Sequence, residues 1–154
     1  MPAAITITGT RATGHRPLRE YNAVFAEYLA PFAHEAAHFY LGGASGIDSF
    51  ALLWLAAETR AVISVVVPGT AAEQPSDARQ AMAIAEKRGR LSELVELRHA
   101  SHPSADAYHH RNRWMVDRSQ FVIAFPRGED QTSGTWYTAN YAADQGKPRL
   151  IVPV

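Results

Sequence analysis

Short runs of β-branched and aromatic residues alternate along the chain with segments whose apolar positions recur every three or four residues. Residues 3–8 alternate Ile5 and Ile7 with Thr6 and Thr8 and close on Gly9, which predicts a strand and a turn. Leu18, Tyr21, Phe25, Tyr28 and Leu29 recur at helical spacing over 17–31, with Pro17 suited to the first turn. Residues 38–41 read as a second strand, ended by Gly42-Gly43. The segment 47–59 is apolar almost all round (Phe50, Leu52, Leu53, Trp54, Leu55), the mark of a well-buried helix. Residues 61–67, apolar on both faces but for Ser64, read as the clearest strand, as expected of a central parallel strand. Ser76 is the expected cap of a helix reaching about residue 88 and stopped by Gly89. A short strand at 94–97, a helix capped by Ser104 and running to about residue 118, and a strand at 120–125 follow. A polar loop, 126–133, leads into a helix at 134–145, with Gly146 just past its end and Pro148 blocking continuation; 150–152 is a final strand.

Strands and helices in strict alternation predict an α/β fold: a three-layer, Rossmann-like open sheet, mostly parallel, of about six strands with helices on both faces. Such sheets bind ligands beyond the carboxyl ends of their strands, near the point where strand order reverses. The loops after the strands are therefore the places to look for chemistry.

Composition narrows the possibilities. The 154 residues suit a single domain over 1–154, with no internal repeat or linker. Fifteen Lys+Arg balance fifteen Asp+Glu, which argues against a protein held to nucleic acid or membrane by bulk charge but leaves room for a local basic cleft. The absence of cysteine excludes disulfides, thiol nucleophiles and thiolate-bound metals. No apolar run approaches the ~20 residues of a membrane span, and no signal peptide is evident, so a cytoplasmic protein without a membrane partner is expected.

Three loops carry candidate chemistry. In 42–48 (Gly42, Gly43, Ala44, Ser45, Gly46, Ile47, Asp48), glycines leave room for a ligand and the following helix offers free N–H groups to an anion. The plain alternative is glycine used for close packing. Asp48, in the first helical turn, either complements the helix dipole or accepts a hydrogen bond from a sugar or base. The run Ser133, Gly134, Thr135 offers a second anion cradle, or merely an N-cap at Ser133. The loop 126–133 exceeds the roughly 2–6 residues of ordinary βα turns, which suggests a cover for the site. The third loop holds Gly9, Thr10 and Arg11, the arginine suited to a phosphate. On the helix after 104, Asn112 interrupts an apolar stripe and must find polar partners, with Arg111 and Arg113 flanking the stripe. His109 and His110 point apart, and no metal is assigned. Trp136, Tyr137 and Tyr141 read as helix packing or a subunit contact, and His99 and His102 as exposed loop residues.

Taken in order, Gly9-Thr10-Arg11, the 42–48 loop, Arg111-Asn112-Arg113 and the 133–139 run resemble the core of the DNA-processing protein A (DprA/Smf) family. That family reads roughly G-S-R, S-G-x-A-x-G-I-D, R-N-R and S-G-S-x-x-T-A, ending in a strand and a proline, as 150–153 do here. The wider SLOG superfamily includes the Lonely Guy phosphoribohydrolases, and residues 13–17 (TGHRP) resemble the start of other members. The resemblance implies a nucleotide or nucleic-acid phosphate site at the strand ends. It also implies contacts to single-stranded DNA for Arg11, Arg111 and Arg113. Arg111 and Met115 match the phosphoribohydrolase helix motif, whereas Tyr137 and Thr138 stand where its loop motif carries acids.

The leading expectation is a binding module, without a cofactor and forming homo-oligomers, that holds a nucleotide or nucleotide-derived small molecule. Amides after Gly43 and Ser133, with Arg11, would take the phosphate; Asp48 and Asn112 would read sugar or base. One alternative is a nucleoside-monophosphate N-glycosidase with Asp48 as its catalytic carboxylate. The other is a single-stranded DNA-binding protein of DNA processing.

Overall fold

The computed structural model describes residues 1–98 and 105–154. His99, His102 and the expected cap Ser104 lie outside the described residues.

Strand β1 is Ala4–Gly9 and helix α1 Leu18–Tyr28. The helix stops short of residue 31 because Pro31 has no N–H to donate back along it, and a 3-10 turn, Ala30–Phe32, takes over. Then come β2 His38–Gly42, α2 Ile47–Glu58, β3 Val62–Pro68, α3 Ser76–Lys87 and β4 Glu93–Leu97. The chain continues with α4 Ala105–Asp117, β5 Phe121–Phe125, α5 Gly134–Asp144 and β6 Arg149–Ile151.

The six strands form one sheet in the order β4-β3-β2-β1-β5-β6. All five pairings are parallel, where the sequence promised only a mostly parallel sheet. From β1 the chain steps outward through β2, β3 and β4, then jumps back to β5 on the other side of β1. Right-handed crossovers put the helices of the outward steps on one face and those of the return on the other. Accordingly α2 packs between α1 and α3, and α4 packs on α5.

The two faces of the sheet differ in chemistry. Ile5, Ile7, Phe39, Leu41, Ile63, Val65, Ile123 and Phe125 join α1, α2 and α3 in the main core. The alternate positions of β1 and β2, beneath α4, are polar. Thr6 Oγ1 lies 2.7 Å from Ser119 Oγ, and Ser119 Oγ donates to the Met115 carbonyl at 2.8 Å. The α4–α5 side relies on side-chain pairs as much as on apolar burial: His109 stacks on Tyr137 at 3.8 Å, Arg113 donates to the Tyr137 hydroxyl at 2.7 Å, and Tyr141 donates to Asp117 at 2.6 Å.

One cap is not where the sequence places it. Ser76 is the first residue of α3, the N-cap position belongs to Pro75, and no side chain caps the helix. The extended backbone of Pro75 already turns the chain into the helix. Asp77, one residue on, accepts the Ala78 N–H at 2.9 Å and the Ser45 hydroxyl at 2.8 Å. Ser133 does cap α5, accepting the Trp136 N–H at 3.3 Å. No described helix is long and apolar enough to cross a membrane.

Candidate functional site

Strand order reverses between β1 and β5, and a cleft of about 430 Å³ opens there, beyond the carboxyl ends of the strands. Backbone crowding shapes its base. A Cβ on Gly9 would sit 2.3 Å from Ile47 Cγ2, so the end of β1 runs directly against the start of α2. Gly46 has φ +78°, and a Cβ there would fall 2.5 Å from the Thr10 carbonyl oxygen. The Ile47 N–H donates to that same carbonyl at 3.1 Å, locking the loop after β1 onto the α2 N-terminus. His15 Nε2, 3.0 Å from the Val154 carbonyl oxygen, ties down the far end of this loop.

The residues foreseen for the site divide cleanly. Gly9, Thr10, Arg11, Ala44, Asp48, Arg111, Asn112, Ser133, Gly134 and Thr135 line the cleft. Gly43, Ser45 and Gly46 do not. Gly43 is a packing residue, where a Cβ would strike Val67 Cγ1 at 2.5 Å, and the Ser45 hydroxyl turns away to Asp77 on α3. Arg113 points along α4 to Tyr137 rather than into the cleft. Tyr108, His109 and Arg127 join the lining without having been singled out for it. The one-turn spacing of Tyr108 before Asn112 placed the tyrosine on the right face, but nothing in the sequence tied Arg127 to it.

Arg11 and Arg127 are exposed at the rim, and Arg111 is 4% exposed at the floor. The Arg11 guanidinium sits over the Tyr108 ring at 4.7 Å and that of Arg111 at 5.8 Å, which braces the tyrosine by cation–π contact. Arg111 donates through Nε to Asn112 Oδ1 at 2.8 Å and through Nη1 to the Val66 carbonyl at 3.3 Å. Arg111 is thus the partner found for the Asn112 carbonyl oxygen on its apolar stripe. The only ion pair among the described residues is Arg98–Glu96, so the three cleft arginines carry no carboxylate partner within salt-bridge distance.

Asp48 is 7% exposed, and its Oδ1 has no hydrogen-bond partner. Burial pushes its pKa up to about 7, against the pull of Arg111, an Ala44 N–H and Arg11. The folded protein therefore keeps a proton that the unfolded chain releases near pH 4. Rising pH should draw stability down through the window from about pH 4 to about pH 7, by on the order of 4 kcal/mol in all. Denaturation midpoints followed across that window should fall in the native chain and stay flatter in Asp48→Asn; parallel curves would show that Asp48 ionises normally.

The loop 126–133 folds on itself and onto α5. Thr132 donates through N–H and hydroxyl to Asp130 at 2.9 and 2.6 Å, and these bonds hold the Asp130 carboxyl below its usual pKa. The Trp136 indole N–H reaches the Gly128 carbonyl at 3.0 Å. Thr132 through Thr135 are thereby presented to the cleft, where the first-turn N–H groups of α5 have no partner within their own helix. Thr138, at one of the positions where phosphoribohydrolases carry an acid, donates to the Gly134 carbonyl at 2.8 Å. Among the described residues, Asp48 is the one carboxylate lining the cleft.

A wholly parallel sheet with a polar, arginine-bearing cleft at its reversal point defines an open Rossmann-like α/β protein. The chain belongs to the family of DNA recombination-mediator protein A, whose model matches residues 2–154. Its fold is similar to that of DNA processing protein A from Helicobacter pylori, solved in a study of single-stranded DNA binding, with a TM-score of 0.74 and 21% identity. The match covers 99% of this chain and 66% of that one, so the chain spans just under two thirds of its relative. No curated protein matches the sequence.

Proposed function

We propose that the cleft binds single-stranded DNA through its phosphates. One observation carries the reading: in a chain of zero formal charge, the cleft gathers three arginines against one aspartate, and none of the three is held in a salt bridge. Arg11 and Arg127 reach phosphate oxygens from the rim, and the first-turn amides at Gly134 and Thr135 complete an anion site capped by Ser133. Arg111 acts from the floor, where Nε and Nη1 are held by Asn112 and the Val66 carbonyl, and adds its positive field to the site. Family membership and the single-stranded DNA binding studied in the Helicobacter relative support this over an isolated small ligand.

The test is fluorescence anisotropy with a labelled oligothymidylate across a salt series. Affinity should fall with salt at a log–log slope of about −0.7 per phosphate contacted. Arg11→Ala should weaken binding by about tenfold or more at low salt and flatten the slope by about one contact. Absence of binding at low salt, or unchanged affinity in Arg11→Ala and Arg127→Ala alike, refutes the proposal. The size of the cleft also suits a single nucleotide, which favours a free nucleotide or nucleotide-derived ligand as the second reading. A rise in melting temperature with mononucleotides, without any oligonucleotide binding, would select it.

A further inference from the structure

We infer that two copies of the chain join edge to edge through β4 and α3, about a two-fold axis. The cleft opens beside β1, with β2 and β3 between it and β4, and no residue of this second surface lines the cleft. The surface is therefore independent of what the cleft binds.

The two edges of the sheet are built differently. An edge strand leaves a row of N–H and C=O groups unpaired, and natural sheets blunt such edges with Lys, Pro or very short strands. The β6 edge follows that rule: it is three residues long, with Lys147 and Pro148 before it and Pro153 after it. The β4 edge does not. Its five residues, Glu93–Leu97, include neither Lys nor Pro. Both of its glutamates are engaged within the chain. Glu93 accepts the Ser64 hydroxyl at 3.3 Å, and Glu96 accepts the Ala71 N–H at 2.8 Å and an Arg98 N–H at 3.1 Å. Leu94 is 41% exposed and opens onto a groove of about 230 Å³ between β4 and the outer flank of α3. Met82, Ala83 and Leu91 give the groove an apolar lining, with Arg79 and Glu86 beside them.

The charges of this groove fit a second copy of the same chain. Arg79, Met82, Ala83 and Glu86 are spaced by three, four and seven, so they share one flank of α3. Along the helix they read as a cation, an apolar pair and an anion. Turned end for end about a point between Met82 and Ala83, the row falls on itself with the charges exchanged. Arg79 then meets the partner's Glu86, and Glu86 meets the partner's Arg79. Ala83, with only a methyl group, lets the two helices approach closely. Among the described residues neither Arg79 nor Glu86 has a salt bridge within its own chain, so both are available to a partner.

The strand obeys the same symmetry. An antiparallel pairing of β4 with its copy, centred on Val95, sets Glu93 opposite the partner's Leu97 and Leu94 opposite the partner's Glu96. No like charges then stand directly across from one another. Leu94 lines the groove together with Met82 and Ala83, so the centre of the strand row and the centre of the helix row lie at one place. Pairing satisfies the free edge of β4, joins the two sheets into one and lays α3 beside its copy on a single face. A patch complementary to itself in this way is what a closed two-fold dimer requires.

Sedimentation velocity between about 1 and about 100 µM reads the association. One strand edge and one helix flank make a modest interface, so the native chain should pass from monomer to dimer within this range. Arg79→Glu and Glu86→Arg should each weaken the dimer about tenfold or more, because each sets two like-charged pairs across the axis. Mixed in equal amounts, these two variants should dimerise about as well as the native chain, since each supplies the charge that the other lacks. The variant carrying both changes should do the same. Leu94→Lys should stay monomeric throughout. All three positions are exposed, so melting temperatures taken at about 1 µM should stay within about 2 °C of the native value. A native chain that is still monomeric at about 100 µM overturns the proposal. So does a dimer that either charge reversal leaves unchanged, or a pair of single variants that does not recover on mixing.

Discussion

Replacing Arg111 with leucine should destabilise the protein by about 2–6 kcal/mol above pH 7, at about 1–3 kcal/mol for each buried acceptor left without its donor. The guanidinium is 4% exposed and bonds the Asn112 side chain and the Val66 carbonyl, so leucine strands two buried acceptors. It is also the strongest charge opposing the burial penalty on Asp48. Without it the carboxylate faces that penalty with only Arg11 and one backbone N–H to help. The loss should therefore be smaller at about pH 6, where Asp48 is largely protonated, than at about pH 8. Chemical denaturation of Arg111→Leu, Asp48→Asn and the double variant checks this. The double variant should recover a measurable part of the loss at the higher pH. Strict additivity of the two substitutions would mean that the residues do not interact. Arg111 thus builds the cleft floor, while Arg11 and Arg127 are the exposed guanidiniums proposed to meet the ligand.

Gly46→Ala should cost roughly 3 kcal/mol or more, lowering the melting temperature by about 10 °C. Two effects add. Gly46 adopts φ +78° with ψ −124°, a conformation that residues with a Cβ rarely tolerate. A Cβ would also lie 2.5 Å from the Thr10 carbonyl oxygen and 2.8 Å from Arg11 Cα, both rigid backbone atoms. Relief requires the loop after β1 to move off the α2 N-terminus, which displaces Arg11 and should weaken oligonucleotide binding as well. Gly128→Ala is the control, because φ there is +79° but a Cβ would meet nothing within 4 Å. It should cost only the backbone term, about 1–2 kcal/mol. Equal losses at the two glycines would show that the contact with the β1 loop does not matter.

Much of this arrangement is written locally. The Ile-Thr alternation of 4–9 gives a strand apolar on one face and polar on the other, and the structure buries Ile5 and Ile7 in the main core while Thr6 faces Ser119. The apolar run of 62–68 becomes a strand buried on both sides. Asn112 was seen to need polar partners on an apolar stripe, and it lies on the wall of the cleft with its oxygen bonded to Arg111. What could not be read locally is the direction in which loop residues face. Gly43 and Ser45 belong to the same short run as Ala44 and Asp48, yet Gly43 packs on Val67 and Ser45 reaches Asp77, more than thirty positions along the chain. Arg111 and Arg113 were expected to flank the stripe alike, whereas one is buried in the floor and the other is held by Tyr137.

By itself, then, the amino-acid sequence determined the alternation of elements, their parallel α/β class and the loops from which the cleft is built. Period and turn chemistry act between near neighbours, and those forces are visible in a single chain. The tertiary structure alone decided which of the loop residues converge, which arginine is buried and how far Asp48 departs from an ordinary carboxylate. Those outcomes depend on dehydration and on charges brought together from the loop after β1, α2, α4 and the loop before α5, and neither acts until the sheet has assembled around them.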